Sequence, residues 1–294
     1  MNDDMRPSTT NPPPASGHRL SLPRLTSLAR TVDPRLPSHR NALLVGLGSA
    51  AFAAVTNLDD AAVWGHAFNA GVGSFLGWAL AREIDPDRPN SAVLSGALTG
   101  MTIALLGPSL LLPVVLVLVA SRLLHRSTGL SPTLFDLLAL IGVAYVGGTS
   151  IVGWACGMAL AFATARDHRL PSPAPRFQLI AAFLMAGAAS AGTSISGVSA
   201  NWELPDPGAM VVLGIGIVAG LSLRIYAPTA LADHTQGPLE VRRLQSARRG
   251  VLFTGLLAFA TAGGAAVVAL SPLWAALTGV AIWDRLGRDQ VNHV

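Results

Sequence analysis

The chain has 294 residues, 51% of them hydrophobic and 12% charged. Soluble domains carry about 25% charged residues, so this little charge cannot cover a soluble surface and a bilayer is the better solvent. All 20 basic residues are arginine, the net charge is +4, and Cys156 is the only cysteine, so no intrachain disulfide can form and Cys156 reads as a small packing residue.

Residues 1–40 hold Pro12-Pro13-Pro14, many hydroxyl side chains and six arginines. Nothing there can build a core, so a disordered, basic, Pro-rich cytoplasmic tail is expected. Its basic region is too long for a secretory signal, and no small-residue cleavage site follows Leu43–Val55. Leu22–Val32 reads as a flexible arm, or as a short amphipathic turn on a membrane surface. Residues 41–288 are expected to be a multi-pass transmembrane domain, and 289–294 a short C-terminal tail.

Apolar runs cover Leu43–Leu58, Ala61–Ala81, Ala92–Ala120, Phe135–Ala165, Gln178–Ser199, Ala209–Leu223 and Gly250–Trp283. A spanning helix needs about 20 residues. Three runs are too long for one helix, and each carries helix-weakening residues inside it: Gly107-Pro108, Gly147-Gly148 and Ser271-Pro272. Each is a hairpin of two short spans or one kinked helix. Arginine collects on the cytoplasmic side of short loops, and this decides between them. If all three are hairpins, every arginine falls on one side. The other side keeps only "TNLDDA" and "NWELPDP". The expected fold is therefore all-α, a polytopic helical membrane protein of about ten (8–10) short transmembrane helices with both termini cytoplasmic. Tryptophan fits the same boundaries, with Trp64, Trp202 and Trp274 near the outer one and Trp78 and Trp283 near the inner one. The abundance of Ala, Gly, Pro and Arg suggests a GC-rich bacterial genome, hence a bacterial inner membrane.

The second run, "DDAAVWGHAFNAGVGSFLGWALA", carries the candidate binding column. Asp59 and His66 are seven residues apart, nearly two helical turns, and Asn69 follows one turn later. An Asp59–His66–Asn69 column can relay protons or bind a cation; the other reading is interhelical hydrogen bonding. Gly65, Gly73 and Gly77 recur at helical spacing in the same run and would let another helix approach closely.

"AREIDPDRPNSA" follows at the inner boundary. Pro86 and Pro89 block helix continuation, and Asn90 or Ser91 can cap the next helix. Glu83, Asp85 and Asp87 alternate, so in extended backbone they share a face, as a Mg²⁺ or Ca²⁺ site requires. The interleaved Arg82 and Arg88 favour a solvated, self-paired turn, and gating or partner contact is a third reading. Thr133 and Asp136 in "SPTLFDLL" have capping-box spacing. "GGTS" (Gly147–Ser150) and "AGTSISG" (Ala191–Gly197) are the remaining polar patches at depth, packing groups or pathway linings. In the loop Asp233–Gly250, Arg242, Arg243, Arg248 and Arg249 can sit on anionic headgroups, each gaining about 1 kcal/mol.

No metalloprotease, nucleophile-elbow, P-loop, Cys-pair or dinucleotide motif is present. No catalytic residue, metal ligand or cofactor is assigned. The arginines flank apolar runs and form no basic domain, so the expected partner is the lipid bilayer, through its anionic headgroups, and not nucleic acid. A homo-oligomer or a membrane partner is compatible with the pattern.

"ALSPLWAALTGVAIWDRLG" (Ala269–Gly287) resembles the last helix of drug/metabolite transporters, where a proline and small residues precede an acid at the membrane edge. Those proteins also have about ten short helices. Asp284 stands here where they carry a glutamate. The resemblance covers 19 of 294 residues, and neither the arginine-rich loop nor the acidic turn fits it. The expected function is a permease or exporter of a small solute. The alternatives are a membrane enzyme acting on a lipid or prenyl substrate through Glu83–Asp87, and a non-catalytic membrane subunit.

Overall fold

The computed structural model describes residues 26–28, 34–172, 174–224, 226–233 and 235–291, with side chains to 286. They form eleven α-helices: α1 (Pro37–Thr56), α2 (Val63–Ile84), α3 (Pro89–Leu106), α4 (Leu111–His125), α5 (Leu134–Gly147), α6 (Ile151–Asp167), α7 (Phe177–Ser196), α8 (Pro207–Ser222), α9 (Val241–Ala262), α10 (Gly264–Ala269) and α11 (Ser271–Val291). Among the described residues there is no strand, only one isolated bridge between Leu231 and Pro238. The chain is all-α.

The long apolar runs break where glycine and proline weaken them. Gly107 takes φ +105°, a left-handed value that favours glycine, and Pro108 follows. Gly148 and Ser150 flank the second break, where the Ser150 hydroxyl caps α6 by accepting from Gly153 N–H. The last run breaks twice. Gly263, at φ +56°, separates the six-residue α10 from α9, a break not foreseen in the sequence, and Leu270 precedes α11. The described residues thus hold eleven helices, one of them, α10, only six residues long.

Other boundaries differ for local reasons. α1 starts at Pro37, a residue suited to the first helical turn, inside the expected tail. Most of that tail lies outside the described residues. Thr26–Leu28 does not, and it docks on the bundle. Ser27 donates from its amide and hydroxyl to Asp136, and Leu28 O accepts from Arg122. Pro89 occupies the first turn of α3, while Ser91 donates to Arg88 O instead of capping. The Thr133–Asp136 capping box forms as expected.

Small residues set the packing. α2 lies against α1, α3, α4 and α11; α4 against α6 and α9; α7 against α5 and α6; α8 against α11. Gly73 faces Ile103 and Gly77 faces Thr99 on α3, whereas Gly65 has no neighbour within 4 Å. Gly216 and Gly255 close on the Trp274 ring. Trp274 and Trp78 are therefore core residues, contrary to the interfacial positions expected for them, while Trp64 and Trp202 are exposed. Pro89–Leu106 and Phe177–Ser196 are long and apolar enough to cross a membrane; Leu111–His125, Leu134–Gly147 and Pro207–Ser222 are apolar but shorter. Large apolar side chains stand exposed along the bundle, among them Leu47, Leu105, Phe183, Ile195 and Leu221.

Candidate functional site

The arginines that interrupt the apolar runs and the acids that pair with them converge on one end of the bundle. α2 ends there with Glu83 fully buried. Arg122 and His125 lie one turn apart on α4 and so share a face. Arg122 Nε donates to Glu83 Oε1 at 3.1 Å, and His125 Nδ1 is 3.3 Å from Oε2. Asp167, the last residue of α6, is also fully buried. It accepts from Arg126 Nε and Nη2 at 3.1 and 2.9 Å and from Arg243 Nη1 of α9 at 2.6 Å. Arg243 further donates to Pro171 O and Leu124 O, which completes its guanidinium. Arg88 joins Asp284 of α11 at 2.6 Å.

The acidic turn does not form one face. Glu83 turns to α4. Asp85 accepts from the Tyr226 hydroxyl, and Asp87 accepts from the amides of Thr229 and Ala230. The three carboxylates have separate partners because α2 continues through Glu83 to Ile84, so the stretch is not extended where a shared face would need it. Among the described residues no three His, Cys, Asp or Glu side chains converge as metal ligands. Burial pushes the Asp85 carboxyl above the ordinary carboxylate range, against the Tyr226 hydroxyl and the Arg88 and Arg248 charges. Arg248 spans this layer, donating to Ile84 O at 2.8 Å and to Arg224 O and lying 4.8 Å above the Tyr226 ring. Breaking such a buried pair from one side costs about 3–5 kcal/mol, because the other charge is stranded.

The expected loop of headgroup-binding arginines is helical from Val241 onward. Helical geometry sorts it: Arg243 and Arg248 are buried in the network, and Arg242 and Arg249 are exposed.

Comparison with family models, curated proteins and solved structures finds no match for this chain.

The opposite end keeps its acids exposed and ties its helix breaks with neutral groups. α2 starts only at Val63, so Asp59 and Asp60 precede it and the helical column Asp59–His66–Asn69 does not form. Asp59 is exposed. His66 Nε2 meets Asp60 Oδ2 at 3.1 Å, and the Ala62 amide, then His66, holds the Asp60 carboxyl below its usual range. Asn69 faces elsewhere. Its amide donates to Ser109 O at 2.8 Å and accepts from Ser109 N at 2.9 Å, satisfying backbone freed by the α3–α4 break. Thr193 of "AGTSISG" likewise donates to Gly148 O of "GGTS", 2.8 Å away, at the α5–α6 break. Leu110 N donates to Ala269 O, tying the first break to the last.

Asp167 and Tyr226 are the residues that sequence reasoning missed. The visible signal for Asp167 was an acid between arginines at the end of an apolar run; Tyr226 had none. Cavities gather at the charged end: a shallow depression of about 450 Å³ beside Arg82, Asp87 and Thr229, and grooves of about 270 Å³ between α8 and α11 and about 220 Å³ between α8 and α9. None of these is lined by His66 or Asn69.

Proposed function

We propose that this chain is a multi-pass protein of the bacterial inner membrane, with its arginine end in the cytoplasm, and that it is a permease or exporter of a small solute. The membrane reading rests on physics. Exposed large side chains such as Phe183 and Leu221 suit lipid and not water. Arginine resists translocation, and the arginines of five separate segments lie at one end. Several spans are near 15 residues, so local thinning must absorb the mismatch.

The transport reading is carried by one observation: at that end ion pairs join α2 to α4, Arg126 at the end of α4 and Arg243 of α9 to α6, and the α2–α3 turn to α11. Such a latch is strong while dry and weak once water enters, because hydration removes the penalty for parting the charges. In the closed state it seals the cytoplasmic side. Broken helices at the other end supply the irregular backbone that transporters use at substrate sites.

Proteoliposomes loaded with a mixed panel of amino acids, sugars and organic acids test this by mass spectrometry of efflux. At least one solute should leave faster than from protein-free liposomes, at a rate altered by Asp167→Asn. No acceleration for any compound, in either variant, contradicts it. The exposed Arg242 and Arg249 on α9 favour a second reading, a non-catalytic membrane subunit. Its test is co-purification of a stoichiometric partner that Arg242→Glu with Arg249→Glu releases.

A further inference from the structure

We propose that the groove between α8 and α9 is a binding site for one anionic phospholipid, its phosphodiester held by Arg249 and Gln245 and an acyl chain lying on Leu221 and Leu252. The inference rests on the membrane reading above and adds a specific site to it. The groove encloses about 220 Å³ and is lined by Gly220, Leu221, Leu223, Gln245, Arg248, Arg249 and Leu252. Leu221, Leu223 and Leu252 give it an apolar part, and Gln245, Arg248 and Arg249 a polar one. This is the shape of a headgroup joined to a chain.

The charge balance selects an anion. Arg248 is already committed: it serves Ile84 O and Arg224 O and faces the Tyr226 ring, with Asp85 close enough to feel its charge. Arg249 is exposed, and no acid lines the groove to neutralise it. Gln245 lies one turn before Arg249 on α9, so both address one ligand from the same face. A guanidinium fork and an amide N–H suit the non-bridging oxygens of a phosphodiester. A zwitterionic lipid offers the same oxygens but brings its own cation to a site that is already positive.

The groove between α8 and α11 provides an internal control. It is also apolar and ends at an arginine, Arg285, but the other polar groups lining it are the hydroxyls of Ser222 and Thr278, both of which donate to carbonyls of their own helices. Arg285→Gln thus removes the same charge from the same end without touching the proposed ligands.

Native mass spectrometry of the full chain, released from detergent with equal phosphatidylglycerol and phosphatidylcholine of matched chains, reads the site. The expected result is one retained phosphatidylglycerol per protein. Retention should fall about fivefold or more in Arg249→Gln, as for losing one arginine at an anionic surface, and further with Gln245→Ala. Arg285→Gln should retain it, and excess glycerol phosphate should not displace it. Equal retention of both lipids, equal loss in Arg249→Gln and Arg285→Gln, or displacement by glycerol phosphate overturns the proposal. A chain that stays in solution without detergent and floats with no liposome overturns the membrane reading itself. A chain that enters liposomes but ignores phosphatidylglycerol overturns the lipid site alone.

Discussion

At one end of the bundle, Asp167 gathers Arg126 and Arg243 from two other segments; at the other, Asn69 holds the amide and carbonyl of Ser109. Both are polar contacts between helices, yet they answer different needs. The charged end joins neighbouring helices through buried side chains whose charges compensate one another. The neutral end repairs backbone exposed by helix breaks inside apolar runs. Charge is therefore used to join helix ends to one another, and amides and hydroxyls to satisfy broken backbone. The proposed lipid boundary between the ends would account for that division.

If the charged end is a set of dependent pairs, the largest loss follows from stranding two charges at once. Asp167→Ala should cost about 3–5 kcal/mol, read as a lowered melting temperature in detergent. Arg243→Met should cost less than Asp167→Ala, since Arg126 still satisfies the carboxylate. Equal, small effects would break the comparison. At the neutral end, Asn69→Ala leaves the Ser109 amide and carbonyl without partners and should cost about 1–3 kcal/mol. Thr193→Val removes one donor to Gly148 O and should cost about 1 kcal/mol.

Asp85 sharpens the contrast through pH. Its folded pKa is raised by burial, so the folded state binds the proton more tightly than the unfolded one. Stability is then lost as pH rises from the ordinary carboxylate value of about 4 through the raised one. Asp85→Asn escapes that loss, so its melting temperature relative to wild type should be higher at about pH 8 than at about pH 5. The opposite slope would mean that Tyr226 and the arginines, not burial, govern the group. The smallest effect belongs to the exposed pair at the far end. Asp60→Ala should leave the melting temperature essentially unchanged, because water already screens the pair.

Much of this architecture was legible in the residues. Gly107-Pro108 and Gly147-Gly148 marked breaks because glycine and proline act locally, and the Thr133–Asp136 spacing specified its cap for the same reason. The break at Gly263 was overlooked although Gly263-Gly264 is the same kind of pair as Gly147-Gly148, because Ser271-Pro272 in the same run already offered one break. The site was legible only as a tally of charge. That arginine gathers on one side follows from sequence order, but which arginine meets which acid does not. Glu83 finds Arg122 across 39 residues, and Asp167 finds Arg243 across 76. The Asp59–His66–Asn69 column failed because its helical phase assumed a helix that begins four residues later, at Val63.

Cysteine accessibility tests the division most directly. The only native thiol, Cys156, is fully buried, and Cys156→Ala removes it. In that background, Asp59→Cys and Arg285→Cys place one exposed thiol at each end. The account predicts that a membrane-impermeant maleimide labels Asp59→Cys in intact cells and reaches Arg285→Cys only after permeabilisation. Labelling of Arg285→Cys in intact cells, or of both alike, contradicts it.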